Sequence, residues 1–154
     1  MKRKLMGKTK RNRYVLAMAL LTGLFSLRVA AQAMQFWKPQ SFLPDFDEFQ
    51  GSTLGYSTLL LIQLIVLALM LRTCRRVGGG ISVPRPRLGH GLAWFGGIYM
   101  AGSVARVAVG LAVPAAPAWF STWIPAFFHL VLAAFVLTAA HYHSQPNGVY
   151  QATP

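Results

Sequence analysis

Four long apolar stretches divide the sequence, and short polar segments separate them. These stretches are residues 14–36, 54–71, 92–113 and 119–140. About 20 apolar residues cross the hydrocarbon core of a bilayer as a helix, so each stretch is of spanning length. The pattern predicts an all-α, four-helix transmembrane bundle over 14–140, preceded by a basic segment at 1–13 and followed by a polar tail at 141–154. Little chain remains for a soluble domain.

The composition supports a membrane protein and argues against a nucleic-acid-binding one. Apolar residues make up 55% of the chain and charged residues only 12%, whereas soluble domains carry roughly 25% charged residues. The net charge of +12 would suit nucleic acid. However, the positive charges flank the apolar stretches, as the positive-inside rule describes. We therefore expect the lipid bilayer as a partner and no nucleic acid.

The distribution of positive charge predicts an orientation. Seven Lys or Arg residues lie in 1–13 and five in 72–90, whereas 37–53 has one and 114–118 has none. With four spans, the two basic segments fall on the same side, which is the cytoplasmic side for short loops. We expect a bacterial inner (plasma) membrane protein with both termini cytoplasmic. The 72–90 segment, with three successive glycines and two prolines, is predicted to be a flexible loop.

An alternative interpretation of the first span is a cleavable signal peptide. A basic start, an apolar run over 14–27 and the small-X-small pattern of Ala31-Gln32-Ala33 resemble such a segment. Arg28 lies between the run and the cleavage pattern, and apolar character resumes after it, which favours a retained helix. Cleavage would remove residues 1–33, and Arg28 with them. Both interpretations stay open on the sequence alone.

The outer loop, 37–53, is predicted to lie at the membrane interface. It contains the only acidic residues of the chain, Asp45, Asp47 and Glu48. Five aromatic residues lie in or beside it, and aromatic side chains concentrate at the boundary between membrane and water. Pro44 followed by Asp-Phe-Asp-Glu predicts a short helix, because acidic residues suit a first helical turn. Its apolar side would carry Leu43, Phe46 and Phe49, spaced by three.

Each span contributes one polar residue to the outer half of the membrane, at a similar depth. These residues are Arg28, Gln63, Arg106 and His129. Gln32 follows Arg28 by four positions and shares its helix face, and Gln35 lies close by. A charged side chain at the bilayer centre costs roughly 2.5–3.5 kcal/mol on insertion scales, so it normally faces protein or a water-filled cavity. The pattern predicts a polar cluster beneath the acidic loop.

Three roles are open for this cluster. In the structural role, Arg28 and Arg106 pair with Asp45, Asp47 or Glu48 and fix the loop on the bundle. In the ligand-binding role, an outer-leaflet pocket holds an anionic lipid headgroup, a carboxylate or a quinone carbonyl, because the planar guanidinium fork suits such oxygens. Its lining would be Arg28, Gln32, Gln63, Arg106 and His129. In the third role His129 serves a proton or ion pathway, although no span contains a carboxylate.

Metal, haem and catalytic sites are poorly supported by the sequence. On the cytoplasmic side, Cys74, His90, His141 and His143 are the residues that suit zinc or copper, but their spacing matches no structural zinc site, and we predict no metal. His129 has no second histidine at its depth for haem ligation. No nucleophile-elbow or zinc-protease motif occurs. An outer-face enzyme would have to use Asp45 or Asp47 with His129 as its acid and base.

Three features favour an accessory, assembly or interaction subunit of a larger membrane complex: the small size, the absence of a catalytic motif and the composition of the third span. The third span is rich in glycine, alanine and serine. Small residues let helices approach closely in lipid, so we expect this span at the centre of the bundle. The partners would be other membrane subunits or further copies of the chain. The ligand-binding pocket, with a lipid or quinone as its occupant, is the alternative function, and an enzyme comes third.

Overall fold

The computed structural model describes residues 8–50, 54–113, 120 and 122–145, and the helices in these ranges are joined by turns and short irregular segments, without a strand. The helices are α1 (Lys8–Trp37), α2 (Phe46–Gln50), α3 (Tyr56–Gly78), α4 (Pro86–Ala112) and α5 (Trp123–Ser144). All except α2 are long and apolar enough to cross a membrane. This confirms the predicted all-α class and the four helices of spanning length, and it supports a multi-pass membrane protein. The predicted tail beyond 145 lies outside the described residues.

The third helix continues beyond the predicted second span, so the expectation of a flexible loop over 72–90 is wrong for most of that segment. α3 runs on to Gly78, and α4 begins at Pro86, a proline suited to the first turn of a helix. Arginine is a good helix former, and the edge of an apolar stretch does not end a helix. The three glycines do end it, and Gly80 adopts a φ of 68°, which glycine tolerates without strain.

The helices pack around α1 and α5. α1 contacts both α3 and α5, α4 contacts α5, and α2 contacts α1 and α5. The buried core is contributed by α1, α3 and α5: Met18, Phe25, Val29, Met70, Val77, Phe135, Ala139 and Tyr142. The expectation that the third span, now α4, lies at the centre is therefore wrong. Among the described helices, α4 makes substantial contact with α5 alone, and α5 is the more buried of the two.

The contact between α4 and α5 is close because α4 presents small residues to it. Gly89, Gly96 and Ser103 are buried and recur every seven residues on one face. A Cβ atom added to Gly96 would lie 2.9 Å from a methyl carbon of Leu137. A larger residue would separate the helices, so the predicted role of small residues in close packing is confirmed for this face.

The basic segments meet at one end of the molecule. A Cβ atom added to Gly78 would lie 3.7 Å from Val15 of α1, which places the start of α1 beside the end of α3. The hydroxyl of Tyr142 donates to the carbonyl of Ser82, and the main-chain N–H of Arg85 donates to Nδ1 of His143 at 3.3 Å. These bonds attach the α3–α4 connection to the end of α5.

Candidate functional site

A buried hydrogen-bonded network joins α1, α2 and α3 at the end of the molecule opposite the basic segments. Arg28 donates through Nη1 to Oε1 of Gln32 at 3.1 Å, and Nε2 of Gln63 donates to the same oxygen at 3.0 Å. Arg28 and Gln32 meet because residues four apart lie on the same side of a helix. Gln32 is completely buried, and Arg28 and Gln63 are 7% and 5% exposed.

Arg28 also connects the short helix α2 to the long helices. Its Nη2 donates to the main-chain carbonyl of Phe49 at 2.9 Å, one of the carbonyls at the end of α2 that have no partner within the helix. The ring of Phe49 is itself buried. On another side, the guanidinium lies 5.5 Å from the ring centroid of Phe128 on α5, within the range of a cation–π interaction.

The acidic loop meets Arg28 through this carbonyl and not, as the charge distribution predicts, through a carboxylate. A short helix is present where the sequence predicts one, and Asp47 and Glu48 occupy its first turn. Asp45, Asp47 and Glu48 are all exposed. Their position has a physical reason: carboxylates are stabilised near the start of a helix and by water, whereas the carbonyl end of α2 is directed at α1.

A second polar group lies between α4 and α5. The hydroxyl of Tyr99 and Nδ1 of His129 share a hydrogen bond. Ser103 donates to the carbonyl of Tyr99 at 2.8 Å. Arg106 is 4% exposed, and its Nη2 donates to Oγ1 of Thr122 at 3.4 Å. Tyr99, Ser103 and Arg106 are spaced by four and three, so they share one face of α4.

His129 links the two polar groups. Its ring shares a hydrogen bond with Tyr99, which lies on the same face of α4 as Arg106. His129 directly follows Phe128, the residue beneath the Arg28 guanidinium. The structure thus brings the predicted residues together in two sets that meet at α5: one of Arg28, Gln32 and Gln63, the other of Arg106 and His129.

Three polar atoms of the first set have no protein partner in the described part of the chain. They are Nε of Arg28, Nε2 of Gln32 and Oε1 of Gln63, and all three are buried. The amide orientations follow from the bonds, because turning the Gln32 amide would direct its N–H groups at the donors of Arg28. A buried polar group without a partner costs about 1–3 kcal/mol. The network therefore retains two donor nitrogens and one acceptor oxygen for which the described residues supply no partner.

Four further groups belong to the site although no motif in the sequence pointed to them: Tyr99, Thr122, Phe128 and the carbonyl of Phe49. Tyr99 carried a usable signal, because it precedes Arg106 by seven positions in an apolar span and so lies on the same helix face. Nothing in the sequence pointed to the Phe49 carbonyl, since every residue has a main-chain carbonyl. Gln35 lies apart from the network: its Oε1 accepts from the main-chain N–H of Gln40 at 2.9 Å.

The candidate metal ligands Cys74, His90, His141 and His143 are not brought together. Among the described residues, no group of three or more His, Cys, Asp or Glu side chains is placed to hold a metal ion. Cys74 lies 3.5 Å from the hydroxyl of Thr22, and the ring of His141 lies 5.7 Å from that of Tyr14. His143 accepts from a main-chain N–H, as described above, and His90 is exposed.

No protein-family model matches the chain, and neither a curated protein nor a solved structure resembles it significantly. The functional inference therefore depends on the polar network and on the surfaces of the helices.

Proposed function

We propose that the protein is a non-catalytic subunit of a larger membrane complex and that α4 is the helix that binds a partner. The observation that carries this proposal is a stripe of small residues on α4 that the described chain leaves uncovered. Its members are spaced by four: Ala93, Gly97, Ala101 and Ala105. All four are exposed, and together they extend about 18 Å along the helix axis.

Such a stripe suits a second transmembrane helix. In lipid the hydrophobic effect does not hold helices together, so close van der Waals contact between small residues contributes much of the attraction. A Cβ atom added to Gly97 would meet nothing within 4 Å. On the neighbouring face, α5 approaches α4 over Gly96. A partner helix can approach Gly97 just as closely.

The stripe defines the chemistry of the partner. It offers neither a charge nor a hydrogen-bonding side chain, so the complementary surface is an apolar transmembrane helix that contributes packing alone. We assign it to another membrane subunit. A second copy of this chain is the competing occupant, and the experiment below separates the two.

The test is purification from native membrane in mild detergent, comparing Gly97→Ile with Gly102→Ile. Gly102 also has nothing within 4 Å of its Cβ position, but it lies about 140° around the helix from Gly97. Wild type and Gly102→Ile are expected to retain one stoichiometric partner protein, and Gly97→Ile is expected to lose it while unfolding at the same temperature.

Two results would contradict this proposal. If both variants retain the same partner, α4 is not its binding surface. If differently tagged copies of the chain purify together, and this association alone is lost in Gly97→Ile, the stripe serves self-association and the subunit proposal fails.

We further propose that the protein lies in a bacterial inner membrane with both termini in the cytoplasm. The grouping of the basic segments at one end of the helices supports this orientation. Cys74 is the only cysteine, so Cys74→Ala gives a background for single cysteines. A membrane-impermeant thiol reagent applied to intact cells should label Phe42→Cys, whose parent residue is 73% exposed, and should not label Arg87→Cys. The reverse labelling pattern would invert the orientation.

A second candidate function is the binding of a small amphipathic molecule at Arg28, Gln32 and Gln63. The three buried atoms without protein partners favour it. A quinone carbonyl or a carboxylate only accepts hydrogen bonds, so either would leave Oε1 of Gln63 unpaired, whereas a hydroxyl group both accepts and donates. The chemistry therefore favours a hydroxyl-bearing molecule over the quinone that the arginines alone suggest.

Gln32→Leu and Gln35→Leu test the second candidate as a matched pair on one helix. The small molecules that accompany each purified protein would be identified by mass spectrometry. A hydroxylated lipid or metabolite present with wild type and Gln35→Leu but absent from Gln32→Leu supports ligand binding. Identical contents in all three proteins would leave the network with a structural role only. Intact mass of the same samples tests signal-peptide cleavage, since the loss of 33 residues would remove Arg28.

A further inference from the structure

A groove of about 350 Å³ runs along the basic end of α3. Its lining consists of Ala68, Leu71, Arg72, Arg75 and Arg76. These positions follow one another by three, one, three and one, which places them along one side of the helix. The two apolar residues lie towards the middle of the span, and the three arginines lie towards its end.

The groove faces away from the rest of the molecule. The side of α3 that packs against α1 is marked by its buried residues, Gln63, Met70 and Val77, which recur every seven positions. At 3.6 residues per turn, Arg72 lies about 160° around the helix from Met70. In a membrane, the groove is therefore open to lipid.

The three guanidinium groups have no carboxylate side chain within reach in the described part of the chain. All three side chains are exposed, and in the described chain none of them is hydrogen-bonded or ion-paired to another side chain. The three acidic residues precede the start of α3 at Tyr56, and Arg72 lies about 24 Å along the helix from that start. No described residue of the chain supplies the neutralising anion, so an external anion suits the three arginines.

We propose that this groove binds the headgroup of an anionic phospholipid in the leaflet on the basic side. The unesterified oxygens of the phosphodiester accept hydrogen bonds from the guanidinium forks of Arg72, Arg75 and Arg76, a geometry that arginine favours. An acyl chain lies against Leu71 and Ala68. A free phosphate ion shares the charge but has nothing to place on these two apolar residues, so the lipid is the better match.

This site differs from the general attraction of basic residues to an anionic membrane surface. General attraction depends on the number of charges near the surface, and Arg13, Arg85 and Arg87 are also exposed at the same end of the molecule. A defined site requires charges at particular positions. Equal numbers of charges removed from the groove and from these other positions must then have unequal effects.

The experiment compares two triple variants of the full-length protein by native mass spectrometry in detergent. Arg72, Arg75 and Arg76 are changed to Gln in one, and Arg13, Arg85 and Arg87 in the other; glutamine keeps a comparable helix propensity. Phosphatidylglycerol and phosphatidylcholine with identical acyl chains are added in turn. We expect the groove variant to lose about ten-fold or more in phosphatidylglycerol affinity, the control variant to lose much less, and phosphatidylcholine to bind weakly throughout.

Three results would overturn the proposal. Equal losses in the two variants would indicate diffuse attraction without a site. No loss in either variant would place lipid binding elsewhere. Binding of glycerol 3-phosphate as tight as that of phosphatidylglycerol would indicate a site for a soluble phosphate, in which the acyl chain has no part. Thermal unfolding of both variants is measured in parallel, so that a misfolded variant is replaced by the single change Arg75→Gln against Arg87→Gln.

Discussion

Helix α4 carries small residues on two faces, and only one of these faces is in contact with the rest of the described chain. Gly96 and Ser103 are buried against α5, whereas Gly97 and Ala101, on the adjacent face, are exposed. Both sets consist of small residues, but one set is buried and the other is exposed. The difference comes from the neighbour, since Leu137 and Val136 fill the space over Gly96.

Small residues therefore permit close approach without selecting the partner. Attraction between helices in lipid needs a surface that fits, supplied by the other helix. On the Gly96 face of α4, this fitting surface is supplied by α5. On the Gly97 face, we assign the fitting surface to a second protein. Substitutions at paired positions on the two faces test this distinction.

The largest effect is expected for Gly96→Leu. Even a Cβ atom at this position would lie 2.9 Å and 3.0 Å from two carbons of Leu137 and 3.1 Å from one of Val136. Overpacking of this kind typically costs about 1–3 kcal/mol, and leucine adds three carbons beyond the Cβ. The free energy of unfolding in detergent should fall accordingly. Gly97→Leu is the control: nothing lies within 4 Å of its Cβ position and leucine is a better helix former than glycine, so the free energy of unfolding should not fall. Equal losses would mean that the two faces do not differ.

A smaller loss is expected for Gly89→Ala. The added methyl group would lie 2.7 Å from the main-chain nitrogen of Ser144 and 2.9 Å from the carbonyl carbon of His143. Main-chain atoms cannot rotate away, but Gly89 lies near the start of α4, where the helix can fray. We expect a loss of about 1–2 kcal/mol, measured by the same unfolding experiment. Gly91→Ala has open space at its Cβ position, and a comparable loss there would show that the clash at Gly89 is not the cause.

The smallest effect, and one of opposite sign, is expected for Gly102→Ala. Nothing lies within 4 Å of the added methyl group, and alanine in a helix interior is favoured over glycine by about 0.5–1 kcal/mol. The unfolding temperature should stay constant or rise slightly. The same change at Gly96 should lower it. A fall for Gly102→Ala would indicate that this face is already packed in the purified protein.

Hydrophobic periodicity predicted the parts of the fold that depend on local sequence. The four apolar stretches correspond to four long helices, and the spacing of Arg28 and Gln32 predicted that they share one helix face, where the structure shows them hydrogen-bonded. The short helix α2 was signalled by Pro44 and the acidic turn. Each of these follows from neighbours in sequence, where helix geometry fixes which residues meet.

The parts that depend on contacts between distant segments were not predictable in the same way. The composition of α4 predicted that this helix packs closely against a neighbour. It did not predict that the neighbour is α5, because small residues do not identify the helix that packs on them. The predicted second span ended at residue 71, whereas α3 extends to Gly78. The arginines after residue 71 were assigned to a loop because they follow an apolar span, although arginine favours helix. The hydrogen bond from Arg28 to Phe49 could not be predicted from side-chain types, because its acceptor is a main-chain carbonyl.

The partners of Arg28 also follow an order in time, because the chain is made from its N-terminus. Gln32 is four residues away and reaches the membrane in the same helix, so the arginine has one acceptor from the moment the first span inserts. Phe49 is synthesised next, then Gln63, and Phe128 last. The contacts of this charge, which is costly in lipid, are therefore spread along the chain from α1 to α5. α5, the last of these helices in the chain, supplies the final contact of Arg28.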